Sequence, residues 1–374
     1  MEVVVDTSCL QVSQAGVPRY TRGLLRGLVE SAGPADTVHT IEFGIPNLDY
    51  AQPKRSLVTA VREGLWGPLV APIDLKDMGA NLLHSPDLPI IRTRRTPHVV
   101  TLHDLAILQK PHRYRRWQRW SGTRRISHLQ DHDLVVCISE FTANLAMRVL
   151  HLDARQIRVI PNGCNYADCP APKSIRPKGL PENLDYFLFV GSLEPGKNLQ
   201  MLVKAWKLAK QQGIELPPLV IVGARREGVP REDAHPEDWH YLGHVSDTEL
   251  AFLYQHARSL LFPSTYEGWG LPIVEAMALG CPVLASPLTA IPEAAGEAAL
   301  LVAPQPEAWL DGIRYLLRDA VREPLIERGR AHAQQFTWKR MGTELWDAYR
   351  AVKRTSRRLK ATPPPEATPR PAIV

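Results

Sequence analysis

Short β-branched, apolar runs alternate with longer helical patterns along nearly the whole chain, and this rhythm restricts the fold more than any other feature. In the first half, strand patterns fall at 2–6, 38–43, 81–84, 98–102, 133–138 and 157–160. Helical patterns lie between them at 17–30, 55–64, 113–129 and 140–151. Apolar strands separated by helices predict a mostly parallel sheet covered on both faces. The rhythm breaks across 161–183, which holds Pro161, Pro170, Pro172, Pro177 and Pro181 and little periodicity, as a linker would. It resumes with strands at 186–191, 218–223, 240–242, 258–262 and 282–285, and helices at 197–212, 246–256, 271–279, 306–318 and 323–335.

A chain of 374 residues, 44% of them hydrophobic, suits two cores rather than one. The expected class is α/β, with two Rossmann-like doubly wound domains facing across a cleft. The first spans 1–165, a linker 166–183 and the second 184–337. A closing helix over 338–359 is placed as crossing back to the first domain. The tail 360–374, with Pro363, Pro364, Pro365, Pro369 and Pro371, is expected to be disordered. Ligands in such sheets bind beyond the carboxyl ends of the strands, so residues just after strands are the ones to inspect.

Several classes are disfavoured. No apolar run approaches the ~20 residues of a membrane-spanning helix. Met1 to Asp6 lacks the basic and apolar regions of a signal peptide. Cys9, Cys137, Cys164, Cys169 and Cys281 are odd in number and show no C-x-x-C spacing, which suits a reducing compartment, the cytoplasm. Net charge is +6 and uneven. Residues 92–125 carry ten Lys/Arg against the single acid Asp104, and Lys353, Arg354, Arg357, Arg358 and Lys360 form a second basic group. Trp117 and Trp120 share a helical face with Arg113 and Arg124. Either the aromatics pack inward under solvated arginines, or 113–125 meets anionic lipid at the inner face of a membrane.

Three motifs favour the bland reading. Gly191 to Asn198 is one residue short of a phosphate-binding P-loop, and Asn198 replaces the Ser/Thr that would hold Mg²⁺. Asp131-His132-Asp133 precedes a strand and reads as a turn rather than a metal site. His84, alone after a strand, reads as structural.

The segment 258–285 carries the chemistry. A strand ends in Pro263-Ser264-Thr265, a loop with Gly268 and Gly270 follows, and Pro272 suits a helix first turn. Gly280 suits the helix stop. Free N–H groups of residues 270–273 at a helix N-terminus attract phosphate. The two acceptor oxygens of Glu275, about one turn inside, suit a vicinal diol such as ribose. Glu267, in the loop, could reach hydroxyls beyond the phosphates.

Glu267 and Glu275 match the E-x7-E motif, and the chain resembles the group-1 retaining glycosyltransferases of GT-B fold, in their mannosyltransferase-like branch. Other blocks agree: Gly16-Val17-Pro18-Arg19-Tyr20, Thr101-Leu102-His103-Asp104-Leu105, Ile138-Ser139-Glu140-Phe141, Val159-Ile160-Pro161-Asn162-Gly163, Phe189 to Pro195, and Ile291-Pro292-Glu293 with Gly296. The resemblance covers about residues 2–350.

It implies a hexose transfer, with mannose from GDP-mannose as first candidate, to a glycan or lipid-linked acceptor in cell-envelope polysaccharide synthesis. It implies no metal or cofactor. The leaving phosphate would take the acceptor's proton, and no nucleic acid is expected as partner. By position, Glu275 would bind the donor ribose, and Lys197 the diphosphate. Glu267 with the backbone of Gly268, Trp269, Gly270 and Leu271 would hold the hexose. His103 would touch the sugar, Gly16 would let its loop approach the phosphates, and Ser192 would lie on the donor side. The chain departs from the family at Ser192 and Gly196, where basic residues are usual. A sugar-nucleotide epimerase of the same fold and a basic nucleic-acid-binding protein are the alternatives.

Overall fold

The structure, a computed structural model, describes residues 1–11, 16–43, 58, 60–93, 96–127, 129, 134–167, 172–224 and 238–361, with side chains as far as Lys353. The described residues form two six-stranded sheets, every pair parallel. The first holds β1 (Glu2–Asp6), β2 (Thr37–Ile41), β3 (Leu82–Ser85), β4 (His98–Leu102), β5 (Leu134–Cys137) and β6 (Ile157–Val159), in the order β2-β1-β3-β4-β5-β6. The second holds β7 (Phe187–Val190), β8 (Leu219–Val222), β9 (His240–Gly243), β10 (Leu260–Phe262), β11 (Val283–Ala285) and β12 (Leu300–Leu301), in the order β12-β11-β10-β7-β8-β9. Val3, Val4, Val5, Leu82, Leu83, Val99 and Val100 have no exposed surface, because helices cover both faces of the sheet. Each such side chain contributes ~1.5–3 kcal/mol on burial.

Strand order reverses between β1 and β3 in the first lobe and between β7 and β10 in the second. Those reversals open a crevice at the carboxyl ends of the strands. The helices that matter here are α1 (Gly16–Glu30), α2 (Arg116–Ser127), α3 (Glu140–Leu150), α4 (Leu199–Gln211), α5 (Asp247–His256), α6 (Leu271–Ala278) and α7 (Trp338–Ala361).

The closing helix α7 returns to the first lobe and lies against α1. The two backbones meet where both lack a side chain: a methyl group on Gly27 would lie 2.1 Å from the Trp338 carbonyl oxygen, and one on Gly342 would lie 2.1 Å from the Gly27 carbonyl oxygen. Trp338 and Trp346 are buried beside this crossing, and their indole N–H groups donate to Asn165 Oδ1 and the Leu28 carbonyl.

Three elements differ from the sequence expectation. Residues 55–57 and 59 of the expected helix 55–64 lie outside the described residues, and the helical path continues through Arg62–Val70 and Ala71–Asp77. Gly64, Gly67 and Pro68 resemble a stop. Instead, a widened turn, in which the Ala71 N–H bonds the Trp66 carbonyl, absorbs the proline, while Trp66 and Leu75 bury against Val4 and Leu83. The expected helix 113–129 is split, because extended Tyr114 separates a single turn at Pro111–Arg113 from α2. The two-residue β12 is too short to show a periodicity. The tail 362–374 and Asp131-His132-Asp133 lie outside the described residues. No described helix is long and apolar enough to cross a membrane.

Candidate functional site

Lys197 follows β7, and Glu267 follows β10, the two strands of the second reversal. Lys197 ends a single helical turn, after which Asn198 takes a left-handed conformation (φ 55) and donates to the Pro263 carbonyl. Lys197 Nζ donates to Glu267 Oε1 at 2.5 Å, with both side chains under one-fifth exposed. Thr289 Oγ1 accepts the Glu267 N–H at 3.0 Å and fixes that loop. Gly270, at φ 126, starts α6 in a conformation that only glycine adopts readily.

The helix start differs in detail from the expected run of free donors at 270–273. Pro272 has no N–H, and the N–H of Ile273 bonds the Gly270 carbonyl at 2.9 Å. Among the described residues, nothing accepts the N–H groups of Gly268, Trp269, Gly270 and Leu271, four in succession and two residues earlier. Consecutive N–H groups without an acceptor, just before a helix, are the kind of donors that attract an anion. The Trp269 ring takes no part, since it is buried against Phe336 with ring centres 5.2 Å apart.

Glu275 lies one turn into α6 and is 1% exposed. It faces the seam between lobes, where its partner is Arg19 of α1: Nη1 lies 3.2 Å from Oε1. Tyr254 donates its hydroxyl to Oε2 at 3.3 Å. Burial pushes the Glu275 carboxyl up, against the pull of Arg19. Glu275 in turn holds the Arg19 guanidinium still more firmly charged. Arg19 also reaches Asp247, at the start of α5, at 2.8 Å.

The first lobe supplies the opposite wall. His103, after β4, donates Nε2–H to the Pro86 carbonyl at 2.8 Å, which leaves Nδ1 as an acceptor in the neutral ring. Tyr20 sits edge-on to this imidazole, with ring centres 4.6 Å apart. A methyl group on Gly268 would lie 1.9 Å from the His103 carbonyl oxygen, so the lobes touch backbone to side-chain-free backbone here. Elsewhere along the seam, Glu293 accepts the N–H groups of Glu140 and Phe141 at the start of α3, both at 2.7 Å. Tyr266 accepts the Leu105 N–H at 3.3 Å, and Arg113 donates to Thr265.

Gly16 is exposed at the start of α1, with nothing within 4 Å of where a side chain would begin, and Ser192 is half-buried just after β7. A 430 Å³ cavity lined by Tyr166, Gln255 and Arg330 lies at the opposite end of α6, so cavity size does not mark this site. Arg19, Tyr254, Arg113 and the bonding of Glu293 were not singled out from sequence. Arg19 and Glu293 stood inside recognisable blocks, but their partners lie 256 and about 150 residues away.

Comparison with known proteins agrees with this architecture. The profile described as glycosyl transferases group 1 matches residues 171–332, and that of glycosyltransferase family 4 matches 15–168. O-antigen chain mannosyltransferase B of Escherichia coli is 31% identical over 292 residues, covering 74% of this chain and 76% of that protein. Among solved structures, sucrose-phosphate synthase of Thermosynechococcus elongatus superposes with a TM-score of 0.73 at 21% identity, over 95% of this chain and all of that one. HepE of Anabaena, in complex with UDP and glucose, gives 0.64 at 17% identity over 94% and 100%. Two Rossmann-like lobes meeting at their strand-order reversals define the GT-B class. The chain belongs to the group 1 glycosyltransferase family and is a glycosyltransferase.

Proposed function

We propose that the chain transfers a hexose from a nucleoside diphosphate sugar to a glycan or lipid-linked acceptor, with retention of anomeric configuration. GDP-mannose is the first donor candidate. The observation that carries this is the Lys197–Glu267 pair, whose Glu267 directly precedes four N–H groups without an acceptor among the described residues, with Glu275 one turn into the helix that follows. The diphosphate sits on the Gly268–Leu271 donors and Lys197. Glu275 takes the ribose diol, sharing its oxygens with Arg19 or exchanging that ion pair for it. Glu267, Gly16, Ser192 and His103 border the sugar and the phosphates.

In the transfer, the C1–O bond to the diphosphate breaks as the acceptor oxygen bonds C1, and the acceptor's proton passes to the leaving phosphate oxygen. Lys197 and the backbone donors stabilise the charge growing on that oxygen. The reaction needs neither a metal nor a cofactor. The O-antigen mannosyltransferase relative and the HepE complex with UDP and glucose support the substrate class, and the same relative supports a role in cell-envelope polysaccharide synthesis.

Membrane contact at the cytoplasmic face belongs to the same reading. Trp117 and Trp120 are exposed on α2 beside exposed Arg115, Arg116 and Arg119. Exposed Leu65, Leu69 and Ile73 lie on the neighbouring helical stretch, which Glu63 joins to α2 by accepting from Ser121 at 3.0 Å. Apolar side chains ringed by arginine suit an anionic lipid surface.

The test is to incubate the enzyme with GDP-mannose, UDP-glucose or ADP-glucose and a lipid-linked acceptor, and to read the product's anomeric configuration by NMR. An α-linked product from an α-donor is expected. Inversion, or turnover of donor to an epimer without acceptor, contradicts the proposal.

A further inference from the structure

We propose that Arg113, carried by the first lobe, is a second cation for the donor diphosphate, seated beside Lys197 in the space that Gly196 leaves empty. The inference deepens the donor reading above and rests on it.

The contact comes first. A side chain begun at Gly196 would lie 2.4 Å from Nη1 and 2.5 Å from Cζ of Arg113. Any residue but glycine there would drive the guanidinium out. Arg113 reaches this point because extended Tyr114 detaches its single turn from α2.

The anchorage comes second. Arg113 Nη2 donates to Thr265 Oγ1 at 2.9 Å, and the Thr265 N–H bonds the Gly196 carbonyl at 2.9 Å. The guanidinium therefore rests on the strut joining the Lys197 turn to the Glu267 loop.

Charge is the third observation. Lys197 and Glu267 neutralise one another at 2.5 Å, while a diphosphate brings more than one negative charge. Arg113 is half-buried and forms no ion pair with a carboxylate among the described residues; the bond above goes to a neutral hydroxyl. A partly desolvated cation without an anion is unfavourable until an anion arrives, and the planar fork of guanidinium matches phosphate oxygens. Because Arg113 and Lys197 belong to different lobes, the full charge assembles only when the lobes meet.

The test is calorimetric titration of the full chain with GDP, UDP and the matching nucleosides, using wild type, Arg113→Ala, Gly196→Arg and the double variant. Arg113→Gln, which keeps much of the shape without the charge, serves if Arg113→Ala fails to fold. Removing Arg113 should weaken diphosphate binding about tenfold, ~1.4 kcal/mol, and leave nucleoside binding unchanged. Gly196→Arg alone should weaken it through collision. The double variant should recover most of the loss, since the new arginine takes the vacated space. Undiminished GDP and UDP binding in Arg113→Ala and Arg113→Gln, beside a wild type that binds, would overturn this inference alone. So would a double variant no better than Gly196→Arg. A wild type that binds no nucleoside diphosphate would overturn the donor reading and this inference with it.

Discussion

Arg19→Met isolates what the ion pair across the seam does. Glu275 is 1% exposed, and Arg19 is its only cationic partner within 4.0 Å among the described residues. Removing one partner of a buried pair typically costs about 3–5 kcal/mol. Here two features reduce that figure: the Tyr254 hydroxyl remains on Oε2, and Arg19 is itself 25% exposed. A penalty of ~2–3 kcal/mol on the closed arrangement is therefore expected.

The two residues sit on different lobes, so the variant can escape the penalty by parting the lobes and letting water reach Glu275. The loss should then appear as opening, with the closed-to-open ratio falling by a factor of roughly 30 to 150. Small-angle scattering should show a larger radius of gyration for the variant, while its melting temperature stays near that of wild type. Acid should act in the same direction. Burial raises the Glu275 pKa, so the carboxylate, and with it the pair, is lost as pH falls through that raised value. A variant with the wild-type radius of gyration at neutral and acid pH would refute the reasoning.

Gly27→Ala should destabilise the fold by ~1–3 kcal/mol, because the atom it meets 2.1 Å away is backbone and the α1–α7 crossing has no slack; a thermal melt checks this. His84 is buried and accepts or donates with Thr101 and Tyr349, and burial pulls its pKa down to about 3. The unfolded chain binds that proton from about pH 6.5 downward. Stability is therefore complete above pH 6.5 and lost toward pH 3, by ~2 kcal/mol at pH 5. Urea titrations at pH 7 and 5 should show this difference shrinking in His84→Asn. Leu69→Glu with Trp120→Glu should abolish co-sedimentation with vesicles rich in phosphatidylglycerol while leaving donor binding intact; equal sedimentation would remove the proposed lipid face.

The parallel sheets were legible because a strand covered on both faces must be apolar throughout. Val3 to Val5 and Leu219 to Val222 therefore stand out from the polar turns around them. The E-x7-E segment was legible for a related reason: a strand end, two glycines, a helix-starting proline and a second acid cannot be moved apart without losing the turn. What stayed hidden depends on distance through space. Nothing local announces that Arg19 meets Glu275, that Arg113 fills the place beside Gly196, or that Glu293 caps α3 of the other lobe. Glycine in the lysine turn reads as a missing charge in sequence, and only the opposing lobe shows what occupies the space. The offset of the free donors from 270–273 to 268–271 is local, since the helical turn through Leu271 and Pro272 closes an internal bond from the Ile273 N–H to the Gly270 carbonyl.

The most direct test of the account is donor affinity measured by calorimetry in wild type, Lys197→Ala and Glu275→Ala. Wild type should bind one equivalent of a nucleoside diphosphate sugar. Lys197→Ala should lose affinity for the diphosphate but not for the nucleoside, and Glu275→Ala should lose affinity for both. Equal affinities across the three proteins would contradict the placement of the donor at the start of α6.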